Sequence, residues 1–334
     1  MYIGGRRVFQ LNKGDKIGVF SPSLPGTYTS PTRFERSKQF MESKGFIIVD
    51  GSLTGKCDRY RSGNIKDRVQ ELNEFIRNPE IKCIMSSVGG SNSNSLLPYL
   101  DYEEIKKHPK IFVGYSDVTA ILLGIYAKTG MTTFYGPSLI SSLGELPPYV
   151  NDTFSSFEDV LIKNETLPYE YPIYHFWTDE QLNWQTQNRP KASYQNEWVC
   201  VKEGTATGRL IAGNLMTMLS IWGSPYMPVI HKGDILMIED CKKTAAIVEK
   251  HFSFLKINGV FEKIGGIILG KHEQFDNQGT GLTPYDILLE VMGDTDIPIL
   301  ADFDCCHTHP IVTMPIGGTI ELNATQKTVR VLEF

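Results

Sequence analysis

The chain has 334 residues, 41% of them hydrophobic and 21% charged, with a formal net charge of -5. A chain of this length more often divides into two domains than grows one core, and its composition is that of a soluble globular protein rather than a disordered one. No basic block supplies the electrostatic footprint of a nucleic acid polymer or an anionic membrane as partner, so small-molecule chemistry is expected.

The opening stretch Met1–Val8 carries charge without an apolar export core, and no segment reaches the roughly 18 apolar residues of a membrane span, so the expected location is the cytoplasm. Lys16–Ser21 is a short β-rich run. Ser30-Pro31 offers an N-cap with proline at the first helical position, and the helix patterned by Phe34, Phe40 and Met41 should stop at Lys44-Gly45. Phe46–Val49 repeats the strand signal, Val69, Leu72, Phe75 and Ile76 share one helical face, and Cys83–Val88 leads into the turn Gly89-Gly90. Ile111–Gly114 is a further strand, and Val118, Ile121, Leu122, Ile125 and Tyr126 mark a helix over Asp117–Lys128, leaving Ser116 between the two. Strands alternating with amphipathic helices predict an α/β layer with a mainly parallel sheet.

From about residue 150 to 200 the chain turns aromatic and polar, with Tyr169, Tyr171, Tyr174, Phe176, Trp177, Trp184, Tyr194 and Trp198 and no sustained periodicity, and reads as a linker that contributes surface. Regularity returns with Gly208–Leu215, the strands Asp234–Ile238, Ile264–Leu269 and Ile297–Ala301, the helices Ala245–Lys256 and Tyr285–Met292, and a closing hairpin of Thr319–Leu322 with Thr328–Leu332. The expected plan is therefore an amino-terminal α/β domain over 1–150, an aromatic-rich segment over 151–200 and a smaller α/β domain over 201–334. The six cysteines, Cys57, Cys83, Cys200, Cys241, Cys305 and Cys306, lack a C-x-x-C spacing and read as reduced thiols.

Gly114-Tyr115-Ser116-Asp117 places a serine where a strand ends and a helix begins, the geometry of a nucleophile elbow. The fit is partial, since Val118 stands where G-x-S-x-G has its second glycine, and a serine there also serves as a helix cap. Gly89-Gly90-Ser91 closes another strand and lets backbone amides approach a ligand. Glu239 emerges at the carboxyl end of a strand, where open α/β sheets keep their sites, with Asp240 as its nearest rival. Asp302–Pro310 holds two of the seven histidines, His307 and His309, either of which could act as a general base. The order serine, acid, histidine is that of α/β-hydrolases. The same segment admits a rival, a divalent metal held by His307 and His309 with Asp302, Asp304 and His272, although no spacing fixes a full ligand set.

Gly114-Tyr115-Ser116-Asp117, Gly208-Arg209-Leu210-x-x-Gly213-Asn214-Leu215, Ile238-Glu239-Asp240 and His307-x-x-Pro310-x-x-Thr313-x-Pro315-x-Gly317 together resemble the signature blocks of the LD-carboxypeptidase family of serine peptidases. The resemblance spans nearly the whole chain, and Trp177, Trp184 and Val88-Gly89-Gly90-Ser91-Asn92 are similar to the microcin C self-immunity branch. It implies an amino-terminal flavodoxin-like domain and a carboxyl-terminal domain with the active site between them. Ser116 would be the nucleophile, His307 rather than His309 the base, and Glu239 the residue that orients the imidazole, with the Gly90 and Asp117 amides as oxyanion hole. Asn214 and Lys243 would hold a substrate carboxylate or neighbouring polar groups, Ser91 would join them as a substrate-binding residue, and Trp184 would stack on a nucleobase. The implied enzyme uses no cofactor and no metal, forms a homodimer, and cleaves an amide in a small peptide or aminoacyl-nucleotide substrate of microcin C type. Removal of a D-amino acid from a cell-wall muropeptide is the alternative. The residues by themselves also admit a non-catalytic small-molecule binding protein.

Overall fold

The computed structural model describes residues 9–163 and 167–334, together with the backbone pairing of Tyr2–Ile3 with Arg6–Arg7. The remainder of Met1–Val8, on which the expectation of no export signal rests, lies outside the described residues. In the first sheet β1 (Lys16–Phe20), β2 (Ile47–Asp50), β3 (Ile81–Ser86), β4 (Ile111–Gly114) and β5 (Thr133–Tyr135) run parallel in the order β2-β1-β3-β4-β5. Met314–Ile316 returns from far along the chain to close this sheet, antiparallel to β5. The order is the flavodoxin-like one, and it reverses between β1 and β3, where such sheets open a crevice beyond their carboxyl ends.

The helices form where local chemistry allows. α1 (Pro31–Ser43) begins with proline at its first position, and the chain leaves it through Gly45, whose φ of 98° is open to glycine at little cost. α2 (Ile65–Arg77) is capped by the Asn64 side chain, which accepts from Asp67 N at 3.0 Å, and it buries Leu72, Phe75 and Ile76 as the spacing predicts. α3 (Thr119–Thr129) follows one turn of 3₁₀ helix at Ser116–Val118, so the regular helix starts two residues later than expected.

Within the stretch read as aperiodic, α4 (Tyr149–Leu161) forms a regular helix. Its Val150, Phe154, Phe157 and Leu161 are all buried and recur at helical spacing. The start is marked by Pro147-Pro148 rather than by a polar cap, and that hides it from a reading based on capping residues.

The second sheet has β6 (Val199–Lys202), β7 (Thr205–Asn214), β8 (Ile235–Glu239), β9 (Gly266–Gly270), β10 (Ile299–Phe303), β11 (Thr319–Asn323) and β12 (Thr328–Glu333), in the order β6-β10-β9-β8-β7-β11-β12 with Tyr169–Glu170 at the far edge. β7 to β10 are parallel, while β6 and the hairpin of β11 and β12 are antiparallel additions. α5 (Leu215–Ile221), α6 (Ala245–Ile257) and α7 (Pro284–Met292) cross over between or follow the parallel strands. Every residue of β8 and β9 is buried, as expected of parallel strands covered on both faces. Apolar side chains of both sheets form one contiguous buried cluster.

Residues 178–191 run across the junction of the two sheets. On one side Gln181 Nε2 donates to Glu273 Oε1 at 2.6 Å; on the other Gln185 Nε2 donates to the Thr29 carbonyl at 3.0 Å. The buried Arg33 fixes this segment from below, donating to the Ile140 carbonyl at 2.8 Å, to Glu145 Oε2 at 2.9 Å and to Gln187 Oε1 at 2.5 Å. Lys191 Nζ stands 3.3 Å from the same Glu145 oxygen. Burial would raise the Glu145 carboxyl, but His309, Arg33 and Lys191 reverse this and hold it at about 2. Arg33→Ala, which removes the closest of the basic side chains that hold the buried Glu145 carboxylate, is expected to cost about 3 kcal/mol or more. Urea unfolding at neutral pH checks this as a lowered midpoint, with faster proteolysis within residues 178–191.

Candidate active site

Three carboxyl ends meet at the junction of the sheets. Ser116 follows β4, Glu239 is the last residue of β8, and His307 lies in the loop after β10. Ser116 adopts φ 63°, a left-handed conformation rare for a residue with a side chain and a recurrent feature of functional turns. Its Oγ stands 2.8 Å from His307 Nε2, and His307 Nδ1 stands 2.7 Å from Glu239 Oε2. The structure thus brings all three expected residues into one unbroken hydrogen-bonded chain. Tyr115 packs its ring edge against the imidazole, with centroids 5.0 Å apart.

Glu239 has no exposed surface, and its second oxygen is met by two donors. Tyr135 donates to Oε1 at 2.6 Å and Asn214 Nδ2 at 3.1 Å. Asn214 is the register partner of Glu239 across the parallel pair β7–β8, which puts the two side chains at the same sheet edge. Its amide nitrogen also faces Asp240 Oδ1 at 3.4 Å, and its carbonyl oxygen caps α5 by accepting from Thr217 N at 3.1 Å. Behind this pair His251 Nδ1 stands 2.8 Å from Asp240 Oδ2. Burial alone lowers the pKa of His307, but the Glu239 carboxylate, aided by Cys241, overcomes it and sets the imidazole well above its ordinary 6.5.

The loop after β3 comes up to the serine. A Cβ on Gly89 would lie 2.9 Å from Ser116 Cβ and 3.0 Å from its Oγ, so only glycine lets the backbone come this close. Gly90 has φ 152°, and a Cβ there would fall 2.2 Å from Ser23 Oγ. The loop is held from two directions. Ser23 Oγ accepts from Ser91 N at 2.9 Å, and the buried Asp117 carboxylate accepts from Asn92 N at 3.1 Å and from Ser93 N at 2.9 Å. Asp117 thereby ties the turn after Ser116 to the turn after Gly90. Among the described residues no protein acceptor receives the Gly90 N–H, which stays available to a ligand.

The other expected residues surround this center. Ser91 is exposed and Lys243 is half-buried, with its ammonium 3.8 Å from Asp240 Oδ1. Trp184 is half-buried on residues 178–191, its ring under the Arg33 guanidinium at 5.0 Å. His309 points elsewhere, toward Glu145 at 4.0 Å. The ligand set of the rival metal reading is dispersed: Asp304 takes Lys271 Nζ at 2.7 Å and Trp198 Nε1 at 2.9 Å, and His272 Nδ1 stands 3.1 Å from the Gly270 carbonyl. Among the described residues no group of three His, Cys, Asp or Glu is placed to hold a metal ion, and all six cysteines are free thiols. No helix among those residues is long and apolar enough to cross a membrane. Tyr135 escapes a reading of the sequence; the signal that points to it is its place at the end of a strand beside the one that delivers Ser116.

Two family models match the chain, the LD-carboxypeptidase N-terminal domain over residues 17–136 and the LD-carboxypeptidase C-terminal domain over residues 207–322. A Vibrio cholerae serotype O1 protein named as a carboxypeptidase is 55% identical over 94% of this chain and 94% of its own length. The microcin C7 self-immunity protein MccF of Escherichia coli is 51% identical over 97% of this chain and 94% of its own. The solved apo structure of MccF matches with a TM-score of 0.95, covering 97% of this chain and 98% of that one. Matching models on both halves, relatives of more than 50% identity along the whole length, and one shared two-domain architecture lead to a single conclusion: the chain belongs to the LD-carboxypeptidase family of serine peptidases.

Proposed function

We propose that this peptidase hydrolyses the amide bond joining an aminoacyl group to a modified nucleotide, with Ser116 as nucleophile, His307 as general base and Glu239 as the group that orients the imidazole. The observation that carries this reading is the unbroken chain from Ser116 Oγ through His307 to Glu239, with the serine held in a left-handed turn. His307 takes the hydroxyl proton as Oγ attacks the carbonyl, and the Gly90 and Asp117 amides receive the oxyanion. The amine leaves with the proton from His307, and water resolves the acyl-enzyme. Glu239 stays ionised, fixes the tautomer and stabilises the imidazolium.

The likeness to MccF supports the substrate class. MccF has been solved in complex with glutamyl sulfamoyl guanosine and with aspartyl sulfamoyl adenosine. Its solved variants include an active-site mutant with alanine for a serine, an asparagine and a lysine, and a tryptophan-to-phenylalanine variant holding adenosine monophosphate. By the family resemblance Ser116 and Lys243 supply the serine and the lysine of this chain's site, Asn214 and Ser91 are further polar residues for the substrate, and Trp184 is the stacking surface. Muropeptide cleavage is the second reading, favoured by a Bacillus subtilis relative of 28% identity named as a murein peptide carboxypeptidase. By the family resemblance the enzyme works as a cytoplasmic homodimer.

Wild type is expected to cleave aspartyl sulfamoyl adenosine and to leave an L,D-linked muropeptide tetrapeptide intact, as followed by mass spectrometry. Ser116→Ala should lose about 10³-fold or more in turnover, and Trp184→Ala should weaken nucleoside binding by about 1–3 kcal/mol. Cleavage of the muropeptide alone would move the protein to wall recycling, and an active Ser116→Ala would remove the serine mechanism. The pH profile of kcat/KM supplies a separate check. Because the base must be neutral and the His307 pKa is raised, activity should fall as pH drops through a limb lying above 6.5. Glu239→Gln removes the charge that raises it, so the limb should move to lower pH while turnover falls.

A further inference from the structure

One buried side chain outside the serine–imidazole–carboxylate chain touches both of its ends. Tyr135, the last residue of β5, has no exposed surface, and its hydroxyl lies 3.2 Å from Ser116 N and 2.6 Å from Glu239 Oε1. We propose that Tyr135 is a positioning residue of the reaction, holding the left-handed backbone of the nucleophile and the orienting carboxylate in one fixed relation. The inference rests on the reading of Ser116 as nucleophile and names what keeps that serine and its acid in register.

The direction of both bonds follows from counting protons. A backbone N–H can only donate and a phenol has a single hydrogen, so Tyr135 accepts from Ser116 and gives its proton to Glu239. Burial and the neighbouring carboxylate push the phenol well above its ordinary pKa, so it remains the donor. Two consequences follow. The Ser116 N–H is already committed and does not serve the oxyanion, which leaves that task to the amides of Gly90 and Asp117. The second consequence concerns the junction: Tyr135 is the register partner of Gly114 in the first sheet, so the bond to Glu239 at the end of β8 crosses from one sheet to the other. Without the hydroxyl, Glu239 Oε1 keeps only the Asn214 amide, and the Ser116 N–H loses its acceptor beside the reacting oxygen.

Tyr135 also packs as a ring, edge-on to Tyr115 with centroids 6.4 Å apart. Tyr135→Phe keeps that packing and removes only the hydroxyl, which separates a positioning role from a space-filling one. With aspartyl sulfamoyl adenosine as substrate, kcat should fall about 10- to 100-fold with KM within about twofold, the penalty of a displaced reacting group. The acidic limb of kcat/KM should move to higher pH, because a carboxylate that has lost a donor holds the imidazolium proton more firmly. Replacing Tyr135 by 3-fluorotyrosine, a stronger donor of nearly equal size, should move the limb the other way; this arm decides the matter if the phenylalanine variant fails to fold. Wild-type kcat and an unmoved limb in Tyr135→Phe, or an unmoved limb in the fluorotyrosine protein, would overturn the proposal. Ser116→Ala in the same assay keeps the two readings apart: residual wild-type activity there would defeat the nucleophile assignment, whereas an inactive Ser116→Ala beside an unaffected Tyr135→Phe would defeat the positioning role alone.

Discussion

A carboxyl group removed from water is tolerated only where hydrogen-bond partners meet its oxygens, and the fully buried Glu239 is such a group. Its three donors come from three places: His307 from the loop after β10, Asn214 from the end of β7, and Tyr135 from the first sheet. Satisfying one buried carboxylate therefore fixes the end of each of these elements and draws the two sheets together at their carboxyl edges. The site lies where the sheets meet because this is where the bonds that Glu239 needs can be made.

The serine is constrained from the other side. A left-handed φ of 63° is costly for a residue with a side chain and persists only when its surroundings determine it. Here the surroundings are the Tyr135 hydroxyl below the Ser116 N–H and the Asp117 carboxylate, which clamps the loop carrying Gly90 through Asn92 N and Ser93 N. Because Gly89 has no side chain, that loop passes in contact with Ser116. The Ser116 hydroxyl, the His307 imidazole 2.8 Å from it and the glycine loop beside it are thus held in one fixed arrangement. Such preorganisation lowers a barrier without reorganisation at the moment of reaction.

Much of this was legible in the residues. Ser116 and Glu239 each close a buried, mainly apolar run and His307 lies in the loop that follows another, so all three could be placed near strand ends, while the Gly89-Gly90 turn reads only as a cradle for a ligand. What escaped is physical in origin. Tyr135 does its work through a contact with a residue 104 positions away, which no local pattern encodes. Asn214 carries the right chemistry for a substrate contact, yet its register opposite Glu239 turns its amide toward that carboxyl group. α4 hid behind a proline pair, and Met314–Ile316 contributes to a sheet whose other strands end at Tyr135, a topology that spacing along the chain does not reveal.

If Ser116 is the nucleophile, as proposed, it becomes covalently acylated during turnover. Mixing the enzyme with aspartyl sulfamoyl adenosine, quenching in acid within the first turnovers and mapping the peptides by mass spectrometry tests this most directly. An aspartyl mass increment is expected on the peptide containing Ser116, appearing with a burst of released nucleoside and missing from Ser116→Ala. Substrate cleavage without any adduct on that peptide, or with the adduct on another residue, would contradict it.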